Sequence, residues 1–145
     1  SSAASDVYKR QDIDWVIQLF SRAKYISFLN GLAYAYRQHG NSTASRSTEG
    51  PNHLAAIIQK WAEKVKQNEV PDPEVVAGLL AFEYGICMGH QQYLSREMKI
   101  ILKEYQYLLH YAMDKKTKVI RLFHRIFGYW FTCNMIRFYL FCRRI

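Results

Sequence analysis

Arg96, Lys99 and Lys103 stand at i, i+3 and i+7. On a helix that spacing aligns three cationic side chains in one row of about 10 Å, at about 1.5 Å of rise per residue. Such a row suits successive phosphates of a nucleic-acid backbone, whose contacts supply affinity without reading sequence. Lys60 and Lys64, four apart, make a second, shorter pair, with Arg22 and Lys24 as weaker candidates nearer the N-terminus. A solvated helix face is the other meaning of such a run, and only clustering on one face argues for phosphate binding.

Other chemistry is sparse. The chain has no GxGxxG, P-loop, HExxH or GxSxG motif. His39, His53, His90, His110 and His124 are scattered and set up no metal site. Glu97 and Glu104 lack an acid/base partner, and pairing with a Lys or Arg one turn away is their expected role. No catalytic residue, cofactor or metal ligand is therefore expected. Trp15, Trp61 and Tyr105 lie on apolar faces and read as core, not as base-stacking platforms.

The basic row needs a helix to carry it. The stretch YLSREMKIILKEYQYLLHYA (93–112) has no Gly or Pro and consists largely of good helix formers. At 100° per residue, Leu94, Met98, Ile101, Leu102, Tyr105, Leu108, Leu109 and Ala112 gather on one side. Arg96, Lys99, Lys103, Gln106 and His110 gather on the other. The spacing predicts one continuous helix with a packing face and a basic face.

Within 145 residues, half of them hydrophobic, the simplest organisation is one domain with a real core. The net charge of +8 is unevenly placed. Residues 1–114 hold 12 Lys/Arg and 12 Asp/Glu, whereas residues 115–145 hold eight Lys/Arg and no acid. Overall basicity thus speaks only for the C-terminal fifth. Cys87, Cys133 and Cys142 have no CxxC spacing and suit a reducing compartment. No secretory signal is read at the N-terminus. The hexapeptide Asp6-Val7-Tyr8-Lys9-Arg10-Gln11 looks like the translation of a sequencing-adaptor end, so residues 1–11 are set aside from the fold.

From Asp12 a helical period runs through Ile13, Val16, Ile17, Phe20 and Ala23, with Asp12 and Asp14 in its first turn. Asn30-Gly31 marks a stop or kink, and Leu32 to Gln38 a short second helix. Asn41 to Gly50 is a polar loop, with Arg46 its sole cation. Pro51-Asn52 opens a helix whose inner face is Leu54, Ile57, Ile58, Trp61 and Val65. Asp72-Pro73 opens the next, as N-cap and first-turn proline, with Val76, Leu79, Leu80 and Tyr84 inward.

After Asp114 the composition becomes basic and aromatic. Ile126 to Cys142 is at the short limit for a membrane span and contains Arg137, a costly charge there. A final amphipathic helix is the preferred reading, and a read-through tail over 114–145 the other. With no strand alternation anywhere, the expected fold is all-α, a compact bundle of five or six helices with residues 12–113 as its main domain.

Three segments together, LNGLAYAYRQHG (29–40), HLAAIIQKWAEKV (53–65) and 93–112, resemble the small subunit of type III-B CRISPR RNA-guided effector complexes, the Cmr complexes. The resemblance is carried by Asn30, Gly31 and Leu32; by Trp61; and by Tyr93, Glu97, Leu102, Tyr105, Leu108 and Ala112. Tyr105 or Tyr107 stands where the family carries a tryptophan, the loop 41–52 is longer, and the tail after Met113 has no counterpart. The resemblance implies an all-α, non-catalytic, cytoplasmic subunit of antiviral defence. Its copies would stack with one another and with other effector subunits beside guide and target RNA, neutralising phosphates and binding no small-molecule substrate. The alternative is a helical protein-interaction or membrane-associated subunit anchored by its aromatic C-terminal segment.

Overall fold

The stretch PEVVAGLLAFEYGICMG (73–89) is apolar on nearly every side. A helix of that kind belongs inside a bundle, and the computed structural model has it there. The structure describes residues 11–23, 25, 27 and 49–142. Among them helix α1 spans Gln11–Arg22, α2 Gly50–Lys66, α3 Pro73–Gly89, α4 Arg96–Glu104 and α5 Lys115–Cys142. Two 3-10 segments, Gln91–Tyr93 and Tyr105–Tyr111, flank α4, and the described residues contain no strand. The fold is an all-α bundle in which α1, α2, the 105–111 segment and α5 all pack on α3.

Local chemistry explains most boundaries. Asp72 caps α3 by accepting from the Val75 N–H at 3.3 Å, with Pro73 in the first turn. α2 ends in a complete two-bond cap: Glu69 N–H donates to the Lys64 carbonyl and Asn68 N–H to the Val65 carbonyl. Asn68 takes the left-handed conformation, φ 56°, that this cap requires and asparagine tolerates. Asp114 caps α5 through the Thr117 N–H at 2.9 Å.

The core joins Ile17 of α1, Leu54, Ile57, Ile58 and Trp61 of α2, Val76, Leu80 and Tyr84 of α3, and Leu102, Leu108 and Leu109. Most of these side chains lie on the faces that the sequence period selects. Trp15, expected in the core, is 62% exposed on α1, whereas Ile17 is buried. The structure also divides 93–112. Tyr93 ends a 3-10 turn, Ser95 caps α4 through the Met98 N–H at 3.1 Å, and the chain tightens to a 3-10 helix from Tyr105. The inward set survives this change, with Leu94, Leu102, Tyr105, Leu108, Leu109 and Ala112 all buried.

Residues 115–142 belong to the bundle. α5 buries Thr117, Thr132 and Cys133, and it approaches α3 where glycine leaves room. A Cβ at Gly89 would lie 2.8 Å from both Ile136 Cγ2 and Leu140 Cδ1. α5 bends at Gly128, whose φ of 77° and ψ of 177° fall in a region open essentially to glycine alone. Among the described residues no helix is long and apolar enough to cross a membrane. Residues 1–10, Asn30-Gly31, the segment 32–38 and the loop up to residue 48 lie outside the described residues.

Candidate nucleic-acid interface

α4 is short, so its orientation depends on what holds its ends. At the start, Asn52 of α2 donates through Nδ2 to the Tyr93 carbonyl at 3.1 Å and accepts the Ser95 N–H at 2.9 Å. At the other end the buried Tyr84 hydroxyl donates to the Leu102 carbonyl at 2.9 Å. Beyond it, the Tyr105 hydroxyl donates to Glu63 Oε1 at 2.6 Å. That bond and one from Lys66, at 3.0 Å, hold the Glu63 carboxyl below its usual pKa.

On this mount Arg96 and Lys103 are exposed and Lys99 is half-buried. None of the three is ion-paired with a described residue. The pairing expected of Glu97 and Glu104 does not form among the described residues, so none of these holds a cation of the row in an ion pair. Lys99 also faces a cleft of about 280 Å³ whose opposite wall is α5, including Arg137. The structure thus adds a fourth cation from a distant part of the chain. In the sequence Arg137 shows only as a charge in an aromatic stretch, and its nearness to Lys99 follows from the α3–α5 packing.

The α2 pair is arranged differently. Lys60 Nζ lies 3.0 Å and 2.9 Å from the two Asp14 carboxylate oxygens, and Trp61 Nε1 donates to Asp14 Oδ1 at 2.6 Å. Burial pushes the Asp14 carboxyl up, but the hydrogen bonds from Lys60 and Trp61, with the charges of Lys60 and Lys64, outweigh it and hold it low. The ammoniums of Lys60 and Lys64 sit 5.5 Å and 5.1 Å from the centre of the Trp61 ring. Lys60 therefore ties α2 to α1, and its charge is already answered. Arg22 is exposed at the end of α1. Lys24 lies outside the described residues.

Within the basic C-terminal stretch, α5 carries a second row. Lys118, Arg121 and Arg125 repeat the i, i+3, i+7 spacing and are all exposed, and Arg121 Nη1 donates to the His110 carbonyl at 3.1 Å. Beside it runs an exposed apolar row of Val119, Leu122 and Ile126. Among the described residues no group of three His, Cys, Asp or Glu side chains converges as a metal site would require.

No protein-family model matches the chain, nor does any curated protein or solved structure at a significant level.

Proposed function

We propose that this chain is a non-catalytic helical subunit that lies along an RNA backbone, of the kind found in type III-B CRISPR effector complexes. One observation carries the reading. Arg96, Lys99 and Lys103 share one face of a helix fixed at both ends, and no described carboxylate holds any of them in an ion pair. Because the helix is already held, binding has to order only the cationic side chains and not the backbone that carries them. The row's contacts are blind to sequence, as a subunit that must accept any guide requires. The reading carries with it partners among the other effector subunits and further copies of the chain, a cytoplasmic location and a part in antiviral defence. Lys60, Lys64 and Arg22 are secondary contacts in it, Lys60 least because Asp14 holds it.

The test is incorporation into a particle. The full chain is co-expressed with type III-B backbone subunits and guide RNA, as wild type and with Arg96, Lys99 and Lys103 all changed to Glu. Incorporation that the reversal abolishes supports both the family and the face. Incorporation that survives it moves the RNA contact elsewhere, and a folded chain that never joins removes the effector-complex reading.

A second reading has its own observation. Phe127, Phe131, Phe138 and Phe141 on α5 are exposed, and aromatic faces of this kind serve protein or membrane-surface contacts. On that reading, serine at these four positions removes association with partner or vesicle and leaves RNA binding unchanged.

A further inference from the structure

The cleft beside Lys99 brings α5 against residues 88–99, the end of α3, the 3-10 turn and α4. Lys99 comes from α4, Gln91 and Gln92 from the 3-10 turn, and Trp130, Asn134 and Arg137 from α5. Its lining holds two cations, three side-chain amides, one indole and no carboxylate. Trp130 is 75% exposed, so a ring face is open at the rim. Asn134 donates through Nδ2 to the Trp130 carbonyl at 2.9 Å, which leaves its own carbonyl oxygen as an acceptor. The Gln91 and Gln92 amides hydrogen-bond to no described residue and offer both donors and acceptors. The Cys133 thiol also lines the cleft, and burial pushes it up to about 11, so it presents no thiolate to repel an anion.

We propose that this cleft holds one nucleotide of single-stranded RNA, its phosphate between Lys99 and Arg137 and its base stacked on Trp130. The inference rests on the RNA-backbone reading and deepens it. Lys99 belongs to both the α4 row and the cleft, so a strand following the row passes over the cleft mouth. At about 280 Å³ the cleft is at the small end of ligand sites, which suits one nucleotide and not two. An exposed indole serves an unpaired base, because a base inside a duplex keeps its faces covered by its neighbours. Stacking tolerates any base, which suits a subunit that accepts any sequence.

The experiment uses the full chain and a 5′-labelled hexauridylate, read by anisotropy and by tryptophan quenching. Trp130→Ala should weaken binding about tenfold, the ordinary worth of one stacked base, and remove the quench. Arg137→Gln should weaken binding and lower the salt slope by about 0.7, the share of one single-strand phosphate. Arg96→Glu with Lys103→Glu should weaken binding but keep the quench. Circular dichroism checks that each variant folds, and all four side chains are exposed. If Trp130→Ala and Arg137→Gln bind as wild type while the double reversal weakens binding, the cleft is overturned and the backbone reading stands. If the wild type binds no RNA at any salt, both fall. If inorganic phosphate displaces the RNA as well as uridine 5′-monophosphate does, the cleft is an anion site without base stacking and the proposal is overturned.

Discussion

The Tyr84 hydroxyl donates to the Leu102 carbonyl at 2.9 Å, and both residues are buried. Leu102 is where α4 tightens towards its 3-10 continuation, and its carbonyl also accepts the Tyr105 N–H. The bond therefore fixes the C-terminal end of the helix that carries the basic row to the central helix of the bundle.

Removing only that hydroxyl tests the bond, together with the hydroxyl's interaction with Tyr129. Tyr84→Phe keeps the ring and leaves Leu102 with its backbone partner. It should lower stability by about 1 kcal/mol, the usual net value of a buried neutral hydrogen bond, read from the denaturant midpoint. An unchanged midpoint would show that the α4 end does not depend on this bond.

Asp14 gives a pH dependence with a definite sign. Its carboxyl is held below the ordinary aspartate value of about 3.9, so the folded state binds its proton less readily than the unfolded state does. The stabilisation is present in full above that value and is lost as pH falls through the lower folded value. Asp14→Asn should cost about 1.5–3 kcal/mol at neutral pH, the range for hydrogen bonds to a charged group. The gap between variant and wild type should narrow below pH of about 3.9. Urea midpoints at the two pH values check this. Because Lys60 is engaged with Asp14, Lys60→Gln should also weaken RNA binding less than Lys99→Gln.

Gly128→Ala probes backbone strain without a clash. No atom lies within 4 Å of where its Cβ would be, yet φ is 77°. The cost should be about 1–3 kcal/mol, from conformation alone, seen as a lower melting temperature. A melting temperature equal to that of wild type would show that the two halves of α5 can straighten without loss.

Thiol reactivity should separate the cysteines. Cys142 is exposed, whereas Cys87 and Cys133 are buried. Burial holds the Cys133 thiol near 11, so at pH 8 it is almost wholly protonated. Iodoacetamide should label Cys142 first, and labelling of all three should require denaturant. Mass spectrometry of the folded chain reads the result, and rapid labelling of Cys133 would contradict the α3–α5 packing.

The sequence signals that survived are those that act locally. Asp72-Pro73 starts α3 because a cap and a fixed φ need only neighbours, and the inward face of α2 follows from its period, whereas α3 is apolar nearly all round and Leu79, expected inward, stays outside the core. The row at 96, 99 and 103 survives because α4 spans all three positions. What was not legible depends on distant partners. The change to 3-10 geometry at Tyr105 coincides with bonds from Tyr84 to Leu102 and from Tyr105 to Glu63, which helix propensity does not register. Lys60 reads as an outer cation until Asp14 meets it from α1. Trp15 reads as core by hydrophobicity, yet α1 turns Ile17 inward and leaves Trp15 exposed. The Lys99–Arg137 cleft needs the bundle assembled before it exists.

The encirclement of α3 sets the order in which the molecule breathes. α1, α2, the 105–111 segment and α5 each cover part of it, so no single departure wets it all round. Its amide protons should exchange with solvent only through opening of the whole bundle. α1, which packs chiefly on α3 and is tied to α2 through Asp14, should exchange on a faster clock, and α4 between the two. The scaffold beneath the basic row is then the slowest part of the chain, while the surface that meets a partner stays free to adjust.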